Sequence, residues 1–471
     1  MTALTLPFAV PSPHQGRCGP ATEPAWWILN WGLGVDSTAI ILMVCLLLDA
    51  CERRGITGAD RDGFLAERLR LPGFRLDRLV VVVAMVGSEW PLTGELAERH
   101  IVPRLARWGI RLVQVARRGR TKDEGVTVLD DSTAPTRLHM AGDFTLFMEL
   151  VAAGTVPQLG KRFCSEKSKG VPLDETIGVI TGGQPFAQIM GFEANEESRC
   201  TRDTKANKNP ARTGVYPLLT RGWTRADCEA FIHGMLGVWW PKSACTFCVF
   251  ALANKDGRAR VLAGFAAAPA LAWEPLVMEW IAVSINPTQT LMRDSSGHPW
   301  ALYDLMAATP GQEEALRLFH DRLDSLRWSL IEVRRVMDAK GGDPQARGAT
   351  GRAVTVHRTG TRAEMLAALT EIERPDGVIA PVDPLHPGSG STGARRPTRP
   401  TTGSGRSCPT TSRRRSAQCS RSCGPASAPR KRKRRTRTRS SRCTWCNTAG
   451  PRPGCSWPGP RKHRDLPGLV T

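Results

Sequence analysis

Residues 28–49, ILNWGLGVDSTAIILMVCLLLD, join two apolar runs through a glycine-containing turn. A short apolar run ends at Asn30, a turn with two glycines follows, and a long apolar run begins just after an acid and two hydroxyl residues. The short run is typical of a buried strand and the long run of a buried helix. A helix that follows a strand and a tight turn directs its unpaired N–H groups toward that turn.

The turn between the two runs has the composition of a phosphate-binding loop. Gly32 and Gly34 allow the backbone to turn sharply and to bring its N–H groups close to an anion. Ser37 and Thr38 add hydroxyl donors, and Asp36 either caps the helix or orients an attacking group. The spacing matches neither the GxxxxGK[ST] loop nor the GxGxxG turn. Two interpretations stay open here: a loop that binds a nucleotide, or a capped buried helix that follows a glycine turn.

Strand and helix patterns alternate through the first half of the chain. Strands are predicted at residues 26–30, 79–86, 111–115 and 187–190, and helices at residues 36–50, 95–108 and 223–236. This alternation predicts an α/β fold, with a parallel sheet and helices on both of its faces. In such sheets ligands bind beyond the carboxyl ends of the strands, which is where the glycine turn is expected.

The pattern changes in the second half of the chain. Residues 257–339 predict a mostly helical segment, with a 3.6-residue apolar period that continues through residues 313–338. A further strand and helix are predicted at residues 353–357 and 363–372. The chain is thus divided into four parts: an irregular leader (1–24), a nucleotide-binding domain (25–252), a mainly helical extension (253–384) and a disordered basic tail (385–471).

The net charge of +21 belongs to the tail. Of the 65 Lys and Arg residues, 21 lie after position 390, but only one of the 44 acidic residues does, so the rest of the chain is close to neutral. Residues 391–464 contain no Ile, Leu, Val, Met, Phe, Tyr or Glu, which predicts disorder. Their basic runs suit nucleic-acid phosphates. The same composition also arises from a GC-rich message read out of frame, and both interpretations stay open.

The chain shows no pattern of a secretory signal or of a membrane span. The first 25 residues lack a basic start, and the apolar run at residues 39–48 is too short to cross a bilayer. The 14 cysteines are not spaced like a small secreted disulfide scaffold, so they indicate a metal or redox chemistry. We expect a cytoplasmic protein without a membrane partner.

Five segments resemble, in the same order, the phosphoadenosine phosphosulfate (PAPS) reductase family of the adenine-nucleotide alpha-hydrolase superfamily. WGLGVDST resembles the superfamily's pyrophosphate loop, SGGxDS, and MVGSEWPLT (85–93) resembles DTGxExPET. GKRFCSEKSKGVP (160–172) and IMGFEANEESR (189–199) resemble the R-x-C-(C/T/S)-x-x-x-K-x-x-P and G-x-R-x-x-E-S-x-R segments. VYPLLTRGWTRADCEAFI, followed by KSACTFC, matches the tryptophan-helix and CxxC region. The resemblance covers residues 26–250, about half of the chain.

The sequence departs from the family's pattern at several positions. Gly32 and Leu33 stand where the loop usually has Ser and Gly, and Met85 and Val86 stand where Asp-Thr is usual. Glu193 stands where Arg is common. The chain also has no E-C-G-x-H string, which carries the nucleophilic cysteine of PAPS reductases. These departures argue against ordinary sulfate assimilation.

The resemblance implies a Rossmann-like fold that binds an adenine nucleotide, either ATP with magnesium or PAPS. Asp36, Ser37 and Cys164 would be the catalytic residues. The residues that would hold the nucleotide and its anionic groups are Gly32, Gly34, Ser37, Thr38, Ser88, Glu89, Arg162, Lys167, Gly191 and Arg199. Without Cys164 beside them, Arg162 and Lys167 would be read as members of an ordinary solvated charge run.

The resemblance also implies a metal centre at Cys164, Cys245 and Cys248. Family members with a [4Fe–4S] cluster take two cysteines from each of the two segments. Here a serine fills the second position of the first segment, so Cys200 or Cys228 would have to complete the set. Zinc, a dithiol/disulfide couple and inert buried thiols remain alternatives.

Three functions follow as expectations. The first is an enzyme that reduces or transfers sulfur, with a thioredoxin-like reductant, or that adenylates a substrate and releases pyrophosphate. The second is a nucleic-acid-associated nucleotide-binding protein that holds DNA or RNA with its tail. The third is a catalytically degenerate domain that binds a nucleotide only.

Overall fold

A computed structural model of the chain describes residues 23–160, 163–340 and 343–370. Several predictions fall outside these residues. They are the leader up to residue 22, the nucleotide contact at Arg162, and the whole tail from residue 385.

The centre of the structure is a six-stranded sheet. Its strands are β1 (Trp26–Asn30), β2 (Leu79–Met85), β3 (Arg111–Arg117), β4 (Val126–Ser132), β5 (Phe186–Ile189) and β6 (Arg212–Val215). The strand order is β4-β3-β2-β1-β5-β6, and every neighbouring pair is parallel except β3 with β4. The predicted α/β fold and all four predicted strands are confirmed. The edge strands β4 and β6 were missed, because a half-exposed or very short strand has no continuous apolar run.

Helices connect these strands and form most of the remaining structure. The helices are α1 (Val35–Arg53), α2 (Gly58–Leu69), α3 (Pro91–His100), α4 (Val102–Arg107), α5 (Leu146–Ala153), α6 (Phe163–Ser165), α7 (Val171–Thr181), α8 (Glu197–Ala206), α9 (Pro217–Arg221), α10 (Arg225–Leu236), α11 (Val249–Leu252), α12 (Lys255–Ala267), α13 (Trp273–Ile285), α14 (Leu302–Ala307), α15 (Glu313–Ser325) and α16 (Arg362–Thr370). A π-helical turn, Glu166–Gly170, joins α6 to α7, and 3₁₀ turns lie at Leu76–Arg78, Lys122–Glu124, Ala194–Glu196 and Pro269–Ala272.

The sheet has an apolar layer on each face, because side chains alternate along each strand. Trp27 and Leu29 of β1 belong to the core formed with α1, α2, α3, α4 and α10. Ile28 lies in a core on the other face with Ile177 of α7. The predicted helices on both faces are therefore confirmed. Helix α1 is buried along almost all of its length, as its apolar run predicts, with Cys45 in its middle.

A second apolar core lies among helices α11 to α15. Phe265, Met278 and Phe319 are at its centre. Val86, just after β2, and Val156, after α5, also belong to it. The helical segment therefore packs directly against the loops at the carboxyl end of the sheet.

Two of the predicted helices were wrong in their extent. Residues 95–108 form two helices that meet at Ile101, since Pro103 in the first turn of α4 has no N–H to continue the hydrogen-bond ladder. The helix predicted through residue 338 ends at Ser325. The chain then forms β9 (Trp328–Lys340), which pairs antiparallel with β10 (Asp343–Gly360).

The smaller predictions in this region agree with the structure. The strand predicted at residues 353–357 lies within β10, and the helix predicted at residues 363–372 is α16 as far as the structure describes it. A short hairpin, β7 (Met292–Arg293) and β8 (Pro299–Trp300), precedes α14. Among the described residues, no helix is both long enough and apolar enough to cross a membrane.

Candidate functional site

The glycine turn lies where the strand order of the sheet reverses direction. From β1 the chain proceeds to β2 and β3 on one side, whereas β5 and β6 lie on the other side. A crevice at such a point is the usual ligand site of an open α/β sheet. The turn after β5 closes in on the turn after β1, because a Cβ added to Gly191 would lie 2.8 Å from the backbone nitrogen of Ser37. Glycine is therefore required at position 191.

The turn presents a run of unpaired N–H donors. The first helical hydrogen bond of α1 runs from the Thr38 N–H to the Gly34 carbonyl, at 3.1 Å. The five N–H groups from Leu33 to Ser37 have no acceptor in the part of the chain that the structure describes, and no side chain caps the helix. The N-cap is Gly34 rather than Asp36. Such a run of donors at the positive end of a helix dipole suits an anion.

Residues distant in sequence fix the shape of the turn. Leu33 is in the left-handed region at φ 58°, although its side chain is buried. The Leu33 carbonyl accepts a hydrogen bond from Trp240 Nε1 at 2.9 Å, and the Gly32 carbonyl accepts one from Ser243 Oγ at 2.7 Å. The sequence analysis did not identify Trp240 and Ser243. Their position just before the CxxC is the sequence feature that could have identified them.

The two hydroxyls predicted to hold the ligand are engaged within the turn. Ser37 Oγ accepts from the Gly32 N–H at 3.2 Å and donates to the Gly34 carbonyl at 3.4 Å. Thr38 Oγ1 accepts from Trp31 Nε1 at 3.0 Å and is fully buried. These contacts stiffen the turn, so its backbone amides are the groups that it offers to a ligand.

Asp36 is the titratable group at the start of α1. Its Oδ2 accepts a hydrogen bond from Arg225 Nη2 of α10 at 2.8 Å, whereas its buried Oδ1 has no partner among the described residues. Burial raises the pKa of Asp36 to about 6, with Arg225 opposing the rise and Glu196 and Glu193 adding to it. Asp36 therefore changes charge close to neutral pH and keeps one oxygen free for a ligand or a proton.

The segment after β2 is paired with the CxxC loop. The Thr246 N–H donates to the Ser88 carbonyl at 2.9 Å. Glu89 and Cys245 form an isolated antiparallel β-bridge. The Glu89 side chain is only 1% exposed and lies 3.3 Å from Lys169 Nζ. Burial tends to lower the pKa of Lys169, but attraction to Glu89 outweighs it and the pKa is raised. Ser88 and Glu89 thus lie at the carboxyl end of β2, as predicted.

The two predicted basic contacts that the structure describes each have an acidic partner. Lys167 forms an ion pair with Glu149, which also pairs with the buried Arg117 at the end of β3. Burial raises the pKa of Glu149, but its bonds to Lys167 and Arg117 outweigh that effect and lower it. Arg199 pairs with Glu196 and lies over the Phe192 ring, 4.4 Å from its centroid. Lys167 therefore lies near the end of β3 and Arg199 near the turn after β5, on opposite sides of β1 in the strand order.

A cleft of about 540 Å³ begins beside the turn. Asn30, the last residue of β1, and Met190, just after β5, line its end nearest the turn. Farther along, Arg212 pairs with Asp203 at 2.7 Å and hydrogen-bonds Gln188. Asn30 Oδ1 is buried and has no partner among the described residues. The volume is within the range of small-molecule sites, about 300–1,000 Å³. Sequence reasoning missed these cleft residues, since neither short strands nor polar helix faces carry a motif.

The five cysteines predicted to bind a metal lie in three places. Cys164 and Cys245 pack against the second core, and Cys164 and Cys248 are neighbours of Cys245. Cys228 is buried in the first core near Asp36 and Arg225, and Cys200 is buried in α8. Within the described residues, no three His, Cys, Asp or Glu side chains are arranged to hold a metal ion. The donor set for a [4Fe–4S] cluster or zinc is not assembled, and no step below runs through such a centre.

This chain shows no match in comparisons with known protein families, curated proteins and solved structures. The site therefore has to be interpreted from its own geometry. It combines a run of free amides, a carboxyl group that titrates near pH 6, an adjoining cleft and three neighbouring thiols. This combination suits a small-molecule ligand with an anionic end.

Proposed function

We propose that this chain binds an adenine nucleotide, ATP or a sulfonucleotide such as PAPS, in a Rossmann-like site of the PAPS reductase-like kind. The anionic groups would lie against the amides between Leu33 and Ser37, and the nucleoside would occupy the cleft beside Asn30 and Met190. The observation that carries the proposal is the run of five unpaired amides at the strand-order reversal. The first N–H groups of a helix have no partner within the helix, and the anionic groups of a nucleotide would supply acceptors for those of this turn.

The reaction that the site supports best is adenylation of a substrate. A substrate oxygen would attack the α-phosphorus of ATP, the bond to the bridging oxygen would break, and its electron pair would leave with pyrophosphate. The free amides would stabilise the charge that develops on the phosphates. Asp36, held by Arg225, would accept the proton of the attacking group through its free Oδ1. Magnesium, when bound with the nucleotide, would neutralise phosphate charge.

Reductive sulfur transfer is the second candidate, because Cys164 lies beside Cys245 and Cys248. In that reaction the Cys164 thiolate attacks sulfur, the sulfur–oxygen bond to the nucleotide breaks, and a thioredoxin-like dithiol later reduces the enzyme. Burial raises the pKa of Cys164, with Cys248 adding to the rise. The thiolate is therefore disfavoured, and for this reason adenylation is placed first.

Calorimetric titration of the full chain with ATP and with PAPS tests the proposal. We expect one of them to bind, and expect the Gly191→Ala variant to bind at least about 10-fold more weakly because the added Cβ displaces the turn. Gly63→Ala is the matched control, since Gly63 lies in α2, does not line the cleft, and a Cβ at position 63 meets nothing within 4 Å. Binding of neither nucleotide, or equal binding by both variants, would contradict the proposal. Release of pyrophosphate or of sulfite then distinguishes the two reactions.

A further inference from the structure

Cys245 and Cys248 are the first and last residues of a closed turn. The Cys248 N–H donates to the Cys245 carbonyl at 3.1 Å. A four-residue turn of this kind keeps its end Cα atoms within about 7 Å. A disulfide needs Cα atoms about 4.4–6.8 Å apart. The backbone therefore already holds the two residues at a separation that a disulfide can span.

The same turn is attached to the loop beside the proposed nucleotide site. Its Thr246 N–H donates to the Ser88 carbonyl at 2.9 Å, and Cys245 bridges to Glu89. A change in the geometry of the turn would therefore be transmitted directly to the carboxyl end of β2.

Both thiols are reachable, and charged groups lie around them. Cys245 and Cys248 are partly exposed, whereas Cys51 is only 1% exposed. Glu89, Lys169 and the Cys164 thiol are the neighbours of Cys245. Burial and then the Glu89 carboxylate raise the pKa of the Cys245 thiol, and Lys169 only opposes that rise. The pair is therefore brought together by the geometry of the turn rather than by a stabilised thiolate.

We propose that Cys245 and Cys248 form a redox-active dithiol that closes reversibly to a disulfide. A small or protein disulfide is the oxidant: one thiolate attacks it to give a mixed disulfide, and the other then displaces the second thiol. The Cys245–Cys248 bond forms, the oxidant's sulfur–sulfur bond breaks, and the oxidant leaves as two thiols with the two protons. The proposal goes beyond the proposed function and does not require a nucleotide.

Maleimide trapping at a series of glutathione to glutathione disulfide ratios tests this inference. After equilibration of the full chain, free thiols are alkylated and the protein is digested with trypsin. Residues 243–255, SACTFCVFALANK, form one tryptic peptide that contains no other cysteine. We expect this peptide to carry two maleimides in reducing buffer. In oxidising buffer the peptide should carry no maleimide and should be about 2 Da lighter than the unmodified dithiol peptide. The fraction of the peptide that is alkylated should be about 10-fold or more lower than in reducing buffer.

Two variants and a metal analysis complete the test. Cys248→Ser should abolish the lighter peptide, whereas Cys51→Ser should leave it unchanged. Three results would overturn the inference: two maleimides on the peptide at every ratio, a disulfide that joins Cys164 to this peptide instead, or a stoichiometric metal in the purified protein that shields both thiols. Nucleotide binding is measured separately by calorimetry, so failure of either proposal leaves the other testable.

Discussion

Asp36 and Arg225 form an ion pair in which one carboxylate oxygen remains free. The two residues are far apart in sequence, so the apolar run after the glycine turn gave no indication of the pair. The sequence did place an acid at the start of a helix that follows a strand. It could not show that Gly34, rather than Asp36, is the N-cap, because a cap depends on backbone angles that only the folded turn defines.

The raised pKa of Asp36 predicts a specific pH dependence of stability. Burial raises its pKa from 3.8 to about 6. The folded state therefore binds more protons than the unfolded state between about pH 4 and pH 6, and the contribution of Asp36 to stability falls as the pH rises through that window. We compare the free energy of unfolding of the wild type with that of Asp36→Asn, and expect the difference, wild type minus variant, to fall by about 2 kcal/mol from pH 4 to pH 7. Urea unfolding measures it, and a difference independent of pH would contradict the assignment.

Leu33 combines a buried side chain with a left-handed backbone at φ 58°. Loss of the side chain costs about 2–5 kcal/mol, whereas release of the backbone strain recovers only about 1–2 kcal/mol. Both Leu33→Gly and Leu33→Ala should therefore lower the free energy of unfolding. Glycine should be the less harmful replacement by about 1 kcal/mol, the reverse of the usual order, because alanine keeps the strain. An alanine variant more stable than the glycine variant would show that the turn is not left-handed at this position.

At the scale of elements, residues 326–340 show why local periodicity failed. The 3.6-residue apolar period predicted a helix through residue 338, but the helix ends at Ser325. Beyond it, β-branched residues at 331, 333 and 336 favour a strand once a partner is present, and β10 supplies that partner. Strand pairing is a contact between segments, so a pattern within one segment could not predict it. The central strands were predicted because a continuous apolar run distinguishes a strand buried on both faces.

Trp328 anchors the start of β9 to the helical segment. Its Nε1 donates to the Leu323 carbonyl at 3.0 Å, and its ring lies 4.9 Å from that of Trp280. We expect Trp328→Ala to lower the free energy of unfolding by about 2–4 kcal/mol, because a partly buried aromatic and its hydrogen bond are both lost. Leu326→Ala, whose side chain is 43% exposed, is the neighbouring control and should cost below about 1 kcal/mol. Equal costs for the two variants would contradict the packing described for β9.

At the scale of the whole molecule, the site lies where turns from several elements meet. The turns after β1 and β5 touch at Ser37 and Gly191, and the loop after β2 pairs with the CxxC turn. The sequence analysis identified the segments that carry these turns, because each has a motif. It missed Trp240, Ser243 and the cleft, since their roles depend on contacts between segments distant in sequence.

The basic tail provides a separate test of the nucleic-acid hypothesis. Its 21 basic residues and one acidic residue after position 390 predict binding to DNA or RNA that weakens steeply with salt. If the tail is a genuine module, a chain that ends at residue 384 should lose this binding and keep its nucleotide affinity within about two-fold. Fluorescence anisotropy with labelled DNA at several salt concentrations measures both chains. A full-length chain that binds no nucleic acid at low salt would remove this hypothesis.

We propose above that the amides between Leu33 and Ser37 hold the anionic groups of a nucleotide. A crystal structure of the full chain with ATP or PAPS tests it most directly. We expect phosphate or sulfate oxygens within about 3.2 Å of at least two of these nitrogens. A saturating nucleotide bound elsewhere, with water alone at the five amides, would contradict it.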